Sequence, residues 1–201
     1  MMNKIEVINR AMFLKINAGD TAPGWLVLVA INIADRMICI IPLFLIGMWL
    51  WGKSQYRSQA IKACLVTLLA LGINQVIGIV WSHPRPFMLN FGHTWMNHAA
   101  DSSFPSDHMT VFTGIGLTLL FGGSVWLAAA ILTMGLFVAW ARVFLGLHFP
   151  LDMVGAVVVA AAAYVVTSPL WQRVGATIIA IAERLYRLVF ARLIASGWCR
   201  R

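Results

Sequence analysis

Three ionisable residues, Arg142, His148 and Asp152, lie close together in the chain, in a short stretch between two long apolar segments. His148 and Asp152 are four residues apart, so a helix that begins near His148 would place both on one face of its first turn. A carboxylate bonded to one imidazole nitrogen fixes the tautomer and leaves the other nitrogen available as a nucleophile. Arg142 could grip a phosphate with its forked guanidinium. The stretch is typical of a phosphate-handling site.

Two further stretches carry groups that suit the same chemistry. In His83–Pro86, Arg85 stands between two prolines and offers a second guanidinium on a stiffened loop. In Phe104–His108, Ser106 and the backbone amides near Asp107 could donate to phosphate oxygens, and His108 could act as a general acid. Two arginines, two histidines and a paired carboxylate are what in-line phosphoryl transfer through a phosphohistidine requires.

Each of these residues also has an ordinary structural explanation. A histidine at a helix end is usually a satisfied structural residue, an arginine near a membrane interface usually extends towards water, and an aspartate near a helix start usually caps it. The chain has only seven acidic residues, however, and several of its ionisable groups meet on one predicted face. The combination favours a functional site over coincidence.

The composition predicts the elements that must position this site. Apolar residues make up 61% of the 201-residue chain and charged residues only 11%, whereas a soluble domain has about a quarter charged. We therefore expect an all-α, polytopic membrane protein that forms one membrane-embedded domain over residues 1–201. The net charge of +8 lies in particular loops and in the tail, which indicates topology signals and lipid headgroups rather than nucleic acid.

The chain divides into three parts. Residues 1–20 contain an amphipathic segment that is expected to lie in the membrane interface. Residues 25–171 hold about five apolar runs, and a spanning helix needs about 20 residues. Residues 172–201 interleave apolar residues with arginines, which favours a basic amphipathic helix on the membrane surface, although a sixth span is the alternative. The predicted runs cover residues 25–51, 61–81, 109–121, 125–147 and 149–171.

Charge sets the expected orientation. Five spans place the basic loop at residues 53–62 and the basic tail on the same side, and the positive-inside rule makes that side cytoplasmic. The opposite side receives the long histidine-containing loop at residues 82–107 and the turn at residues 147–150. All three stretches with chemical groups are therefore predicted to meet at the outer face of the membrane.

These stretches resemble the three-part signature of the type 2 phosphatidic acid phosphatase superfamily. The first part is represented by Arg85-Pro86 and the second by Pro105-Ser106-Asp107-His108. The third part matches in its full spacing, with Arg142, then five residues, His148, three residues and Asp152. The resemblance covers about residues 78–152. Within the superfamily, the chain is most similar to bacterial undecaprenyl-diphosphate phosphatases.

The resemblance implies an activity and a role for each matching residue. It implies hydrolysis of undecaprenyl diphosphate to undecaprenyl phosphate and phosphate in the bacterial inner membrane, which recycles the cell-wall carrier lipid and could confer bacitracin tolerance. No cofactor or metal is implied. His148 would attack phosphorus, Asp152 would orient it and His108 would protonate the leaving oxygen. The phosphoryl group would be held by Arg85, Arg142 and Ser106, with Asp107 beside them.

The chain departs from the signature at three positions. Gly78 stands where the family has lysine, Asp107 where it has glycine, and Ala141 where it has serine. Losing a lysine and gaining a carboxylate makes the pocket less positive, which bears on the phosphate contacts and not on the nucleophile.

Several alternatives stay open from the sequence. The substrate could instead be phosphatidylglycerophosphate or phosphatidate, or the phosphoryl group could pass to lipid A. A lipid-binding membrane protein without catalysis is a rival of a different class. A zinc site built from His83, His93, His98 and Asp101 has no familiar ligand spacing. Asp35 and Arg36 interrupt the first apolar run, and could line a lipid entry or brace the bundle.

Overall fold

The structure, a computed structural model, describes residues 4–200, which form α-helices joined by loops and two short 3₁₀ segments. No β-strand occurs within that range, so the all-α prediction is confirmed. The helices are α1 (Lys4–Ile16), α2 (Gly24–Arg36), α3 (Ile40–Trp51), α4 (Ser54–Val80), α5 (Asp107–Phe121), α6 (Val125–Phe144), α7 (Pro150–Val189) and α8 (Ala191–Ala195).

The predicted membrane character is evident in the length and apolarity of the helices. Among residues 4–200, four helical segments are long and apolar enough to cross a membrane: Gly24–Trp51, α4, α6 and α7. The segment Gly24–Trp51 consists of α2 and α3 joined by a 3₁₀ turn at Met37–Cys39. The remaining apolar run, the third along the chain (residues 109–121), lies in the shorter helix α5, of 15 residues. Many large apolar side chains are exposed on the outside of the bundle, as lipid contact requires.

Helix α5 is the centre of the bundle. It packs against α4, α6 and α7, and most of its side chains are buried. Its close approach to α6 depends on small residues, because a Cβ atom added to Gly135 would lie 2.7 Å from the Cβ of Phe112. Small residues at the interface are a common way to bring membrane helices together. The N-terminus of α5 carries Asp107 and His108 to the candidate site.

Helix α1 contributes more to the fold than the predicted interfacial helix would. It packs against α6 and α7. Phe13 is fully buried, and its ring centroid lies 5.2 Å from that of Phe149. The side-chain oxygen of Asn9 accepts a hydrogen bond from the backbone amide of Leu151 at 3.0 Å. α1 therefore braces the turn that contains His148.

The C-terminal region continues the bundle without a break at the predicted boundary. Helix α7 runs through residue 172 to Val189, with Pro169 inside it. The end of the chain then returns to the connection between α3 and α4. There, Arg57 is almost fully buried and donates to the carbonyls of Trp49 at 2.9 Å and Arg200 at 2.7 Å. An ion pair between Arg57 and Glu183 at 3.5 Å joins α4 to α7.

Candidate active site

A cavity of about 390 Å³ lies where α4, α5 and the end of α6 meet the histidine-containing loop and the connection that carries His148. Its wall brings together residues from all three of the chemically interesting stretches, together with residues of α4 and of the histidine-containing loop. The ionisable side chains that line it are Arg85, His98, Asp101, Asp107, His108, Arg142 and His148.

His148 is buried at this wall, with its two ring nitrogens in different surroundings. Nδ1 lies 3.2 Å from Oδ2 of Asp152. Nε2 lies 2.9 Å from Nη1 of Arg85. A guanidinium can only donate, so Nε2 must accept and the proton must reside on Nδ1, where it faces the carboxylate. The tautomer that leaves an electron pair on Nε2 is therefore fixed from both sides.

The same surroundings keep His148 neutral. Burial lowers the pKa of His148 from its usual 6.5 to about 4, and the positive charges of Arg142 and Arg85 act in the same direction. The carboxylate of Asp152 opposes these effects without overcoming them. His148 lies in the connection between α6 and α7, and at neutral pH it has the unprotonated nitrogen that a nucleophile needs.

Asp152 performs two tasks at once. It is the third residue of α7, after Pro150 at the first position, and its Oδ2 accepts the backbone amide of Phe149 at 2.8 Å. It therefore caps the helix, as its position near a helix start suggests, and also holds the ring of His148. Capping and orientation are not alternatives here, because one buried oxygen serves both.

Ser103 also belongs to this group, although sequence reasoning missed it. Its hydroxyl donates to Oδ2 of Asp152 and lies 3.3 Å from Nδ1 of His148. Ser103 is fully buried, and its amide donates to the carbonyl of His83 at 2.7 Å. The sequence contains no distinctive signal for it, because Ser102, Ser103 and Ser106 are all serines of the same loop.

Arg85 is held by an extensive set of acceptors. Besides His148, Nη1 donates to the carbonyl of Leu147 at 3.0 Å. Nε donates to Oδ1 of Asp101 at 2.8 Å, and Nη2 lies 3.4 Å from the carbonyl of Ser102. Arg85 is buried, so these contacts fix its plane beside His148.

Arg142 reaches the cavity from the last turn of α6. Nη1 contacts the carbonyl of Ala34 at 3.4 Å and Nε2 of His108 at 3.3 Å, and Nη2 contacts Nε2 of His98 at 2.9 Å. Its buried Nε has no hydrogen-bond partner among residues 4–200. A buried unpaired donor is costly, so this nitrogen is a polar group that the described residues leave unsatisfied.

The start of α5 forms another part of the wall. The hydroxyl of Ser106 caps the helix through the amide of Met109 at 3.5 Å, and Ser106 is fully buried behind the cavity. Asp107 and His108 line the cavity itself. The amide of Ser106 donates to the carbonyl of Asp152 at 3.2 Å, which ties the starts of α5 and α7 together. The N-terminus of α5 favours an anion in the cavity.

Two of the three departures from the signature, Asp107 and Gly78, have local structural reasons. The carboxylate of Asp107 is occupied by α4, where it accepts from Asn74 at 2.8 Å and Gln75 at 3.3 Å. A Cβ atom on Gly78 would lie 3.3 Å from the Cβ of Ser102, so the histidine-containing loop packs closely where the family has lysine.

The histidines considered as zinc ligands have separate partners. Nδ1 of His93 lies 3.0 Å from Asp20, and Nε2 of His83 lies 4.0 Å from Glu6. Only His98 of these three lines the cavity. Over residues 4–200, no three His, Cys, Asp or Glu side chains are grouped in a way that could hold a metal ion.

The helical bundle and this cavity define the class of protein. Residues 59–176 match the family model of the PAP2 superfamily, and the chain belongs to that superfamily. The resemblance found in the sequence is therefore confirmed.

Two proteins with similar sequences are described as undecaprenyl-diphosphatases. The chain is 34% identical over 196 residues to a protein described as putative undecaprenyl-diphosphatase YbjG from Escherichia coli, covering 98% of this chain and 99% of that one. It is 35% identical over 132 residues to undecaprenyl-diphosphatase BcrC from Bacillus subtilis, covering 66% and 68%.

Two solved structures share the fold. The crystal structure of Aquifex aeolicus LpxE matches with a TM-score of 0.66 at 19% identity, covering 81% of this chain and 95% of that one. The PAP2-type phosphatidylglycerolphosphate phosphatase from Bacillus subtilis matches with a TM-score of 0.61 at 18% identity, covering 86% and 88%. Both share the helical fold of this chain.

Proposed function

We propose that the protein hydrolyses undecaprenyl diphosphate to undecaprenyl phosphate and inorganic phosphate through a phosphohistidine intermediate. The observation that carries this proposal is the placement of His148 between the acceptor Asp152 and the donor Arg85, which presents a neutral Nε2 at an arginine-lined cavity. The choice of lipid is supported by the two relatives described as undecaprenyl-diphosphatases.

In the first step, Nε2 of His148 attacks the terminal phosphorus. The bond from that phosphorus to the bridging oxygen breaks, and its electron pair leaves on the lipid monophosphate. The proton on Nδ1 stays directed at Asp152, which stabilises the ring as it gains positive character. Arg85 gives up its bond to Nε2 as the new bond forms, and with Arg142 it then neutralises the phosphoryl oxygens.

In the second step, water attacks the phosphohistidine and releases inorganic phosphate. The phosphorus–nitrogen bond breaks, and its electrons return to Nε2 of His148. His108 lines the same cavity, and the negative charge of a bound diphosphate favours its protonated form. As an imidazolium it is proposed to give its proton to the leaving oxygen in the first step and, once neutral, to accept a proton from the attacking water in the second. His148 is thereby restored to its initial tautomer.

Neither step uses a metal ion, and we propose that the enzyme is metal-independent. Activity that survives a strong chelator would support this, whereas full loss with recovery on adding back a divalent cation would contradict it.

We also propose that residues 1–201 act as one membrane-embedded domain. The cavity would face the outside of the bacterial inner membrane and the C-terminus the cytoplasm, because the loop at residues 53–62 and the tail are both basic. There the enzyme would recycle the carrier lipid used in cell-wall synthesis.

Phosphate release from a panel of lipids by the purified protein tests the proposal. We expect the highest kcat/KM for undecaprenyl diphosphate and none for His148→Ala, with His93→Ala as a matched control because His93 lies outside the cavity wall. Preference for phosphatidylglycerophosphate or phosphatidate would change the substrate. Transfer to lipid A without release would indicate a phosphotransferase, and no reaction with any lipid would favour a lipid-binding protein.

A further inference from the structure

Both arginines of the cavity are hydrogen-bonded to one short segment of the histidine-containing loop, residues 97–101, which we name the cap. Asp101 accepts from Nε of Arg85 at 2.8 Å, and His98 accepts from Nη2 of Arg142 at 2.9 Å. These are the two guanidinium groups proposed to hold the phosphoryl group. The cap therefore occupies donors that a phosphate would use.

The loop is fixed by hydrogen bonds on both sides of the cap, at two points that serve as anchors. On one side, the backbone amide of Trp95 donates to the carbonyl of Leu145 at 3.1 Å, and its indole donates to that of Ala18 at 2.8 Å. On the other side, Ser103 is fully buried and bonded to His83. Between the anchors, most residues are exposed, and the side chains of His98 and Asp101 reach inwards to the arginines. A displacement limited to residues 97–101 would leave both anchors in place.

The two cap residues compete with phosphate to different degrees. Burial acts to raise the pKa of Asp101, but the bond to Arg85 and its charge outweigh this and lower the pKa, so the carboxylate is ionised. Burial lowers the pKa of His98, and Arg85 and Arg142 lower it further, so His98 is neutral and offers only a lone pair. Asp101 is the stronger competitor, and at 61% side-chain exposure it can be rehydrated when displaced.

We infer that the cap is a substrate-displaced selectivity element, in which Asp101 and His98 must be driven off Arg85 and Arg142 by the phosphoryl group. This inference rests on the proposed function. A diphosphate carries more negative charge than a monophosphate, so it displaces a carboxylate from a guanidinium more readily. After cleavage, the cap competes with both less highly charged products and promotes their release.

The test measures how the purified full-length protein binds inorganic phosphate, by isothermal titration calorimetry. Asp101→Asn removes the competing charge while keeping the side-chain shape, and we expect the dissociation constant to fall on the order of fivefold, as befits one half-exposed charge. His98→Ala frees one donor of Arg142 and is expected to give a smaller gain. Asp20→Asn is the matched control, because Asp20 is an exposed carboxylate bonded to His93 outside the cavity wall.

Unchanged or weaker phosphate binding by Asp101→Asn would overturn the inference and make Asp101 a group that merely orients Arg85. An equal gain in Asp20→Asn would overturn it as well, because the effect would then be one of overall charge. In turnover assays, Asp101→Asn should narrow the kcat/KM preference for lipid diphosphate over lipid monophosphate. Phosphate binding needs no turnover, so a protein that hydrolyses no lipid diphosphate but shows the gain would refute the proposed substrate and leave the cap standing.

Discussion

Arg85 donates a hydrogen bond to Nε2 of His148 over 2.9 Å. The same Nη1 also donates to the carbonyl of Leu147, the residue just before the histidine. Arg85 thus fixes the position, the tautomer and the charge state of His148 through a single nitrogen. In this arrangement the guanidinium positions the proposed nucleophile before any phosphate binds, and afterwards it is available to stabilise the transferred charge.

Arg85→Lys tests this double role. A lysine keeps the charge but cannot bond to His148, Leu147 and Asp101 with fixed geometry, because its ammonium is a single flexible point charge. We expect kcat/KM for the lipid diphosphate to fall by about 100-fold or more, as for removal of one preorganised charge-stabilising donor. Arg10→Lys, outside the cavity, is the control. Activity within a few-fold of the unaltered protein would show that charge alone suffices at this position.

The two histidines of the cavity should differ in importance. His148→Ala removes the proposed nucleophile and should abolish turnover. His108→Ala should cost less on a diphosphate, because the leaving group is itself a phosphate ester and depends less on protonation than an alcohol does. Steady-state rates on undecaprenyl diphosphate compare the two variants. Equal losses would mean that His108 has a role beyond protonating the leaving oxygen.

Ser103 should act through its neighbours. Its hydroxyl donates to the Asp152 oxygen that holds His148, so Ser103→Ala leaves that carboxylate with one donor fewer. We expect kcat to fall about tenfold, at the lower end of what loss of such a supporting contact costs. KM should hardly change, because Ser103 does not line the cavity. A rise in KM with unchanged kcat would instead place Ser103 in substrate binding.

The charge state of His148 predicts a pH response. Because burial lowers its pKa to about 4, the neutral form persists as the pH falls through 6.5, where an ordinary histidine becomes protonated, and is lost only near pH 4. Nitrogen-15 NMR of labelled histidines can follow this in the resting protein, with His148→Gln to assign the signal. A resonance that titrates near pH 6.5 would contradict the description of a buried, neutral nucleophile.

Sequence periodicity was enough to predict some of these relationships. The four-residue spacing of His148 and Asp152 places them together as soon as a helix starts at Pro150, and the apolar runs predict the spanning helices. Ser103 meets Asp152 across 49 residues, and the cap follows an irregular loop, so neither contact leaves a periodic signal. The hydroxyl of Ser106, for which the sequence predicts a phosphate contact, accepts from the amide of Met109 and caps α5.

Two other differences arise from tertiary packing. The first helix has the sequence pattern of an interfacial segment. Phe13 is nevertheless buried, because its ring packs against Phe149 in the turn that contains His148. Beyond residue 171, the mixture of apolar residues and arginines is compatible with either a separate surface helix or an extension of the last span. The structure has the extension of the last span, and Arg57 bonds to this C-terminal region through Glu183 and the carbonyl of Arg200.

Arg57 gives a prediction about stability that is independent of catalysis. The residue is 2% exposed, and its guanidinium donates to two carbonyls, pairs with Glu183 and lies 4.8 Å from the ring centroid of Tyr186. Arg57→Met leaves these acceptors unpaired, and we expect a loss of about 3 kcal/mol of stability, in line with breaking a buried charge pair. Thermal unfolding in detergent measures it, with the exposed Arg184→Met as control. The cavity lies at the other end of α4, so we expect the affinity for phosphate, measured below the unfolding temperature, to stay unchanged. A parallel loss of phosphate affinity would show that the C-terminal region supports the site as well as the fold.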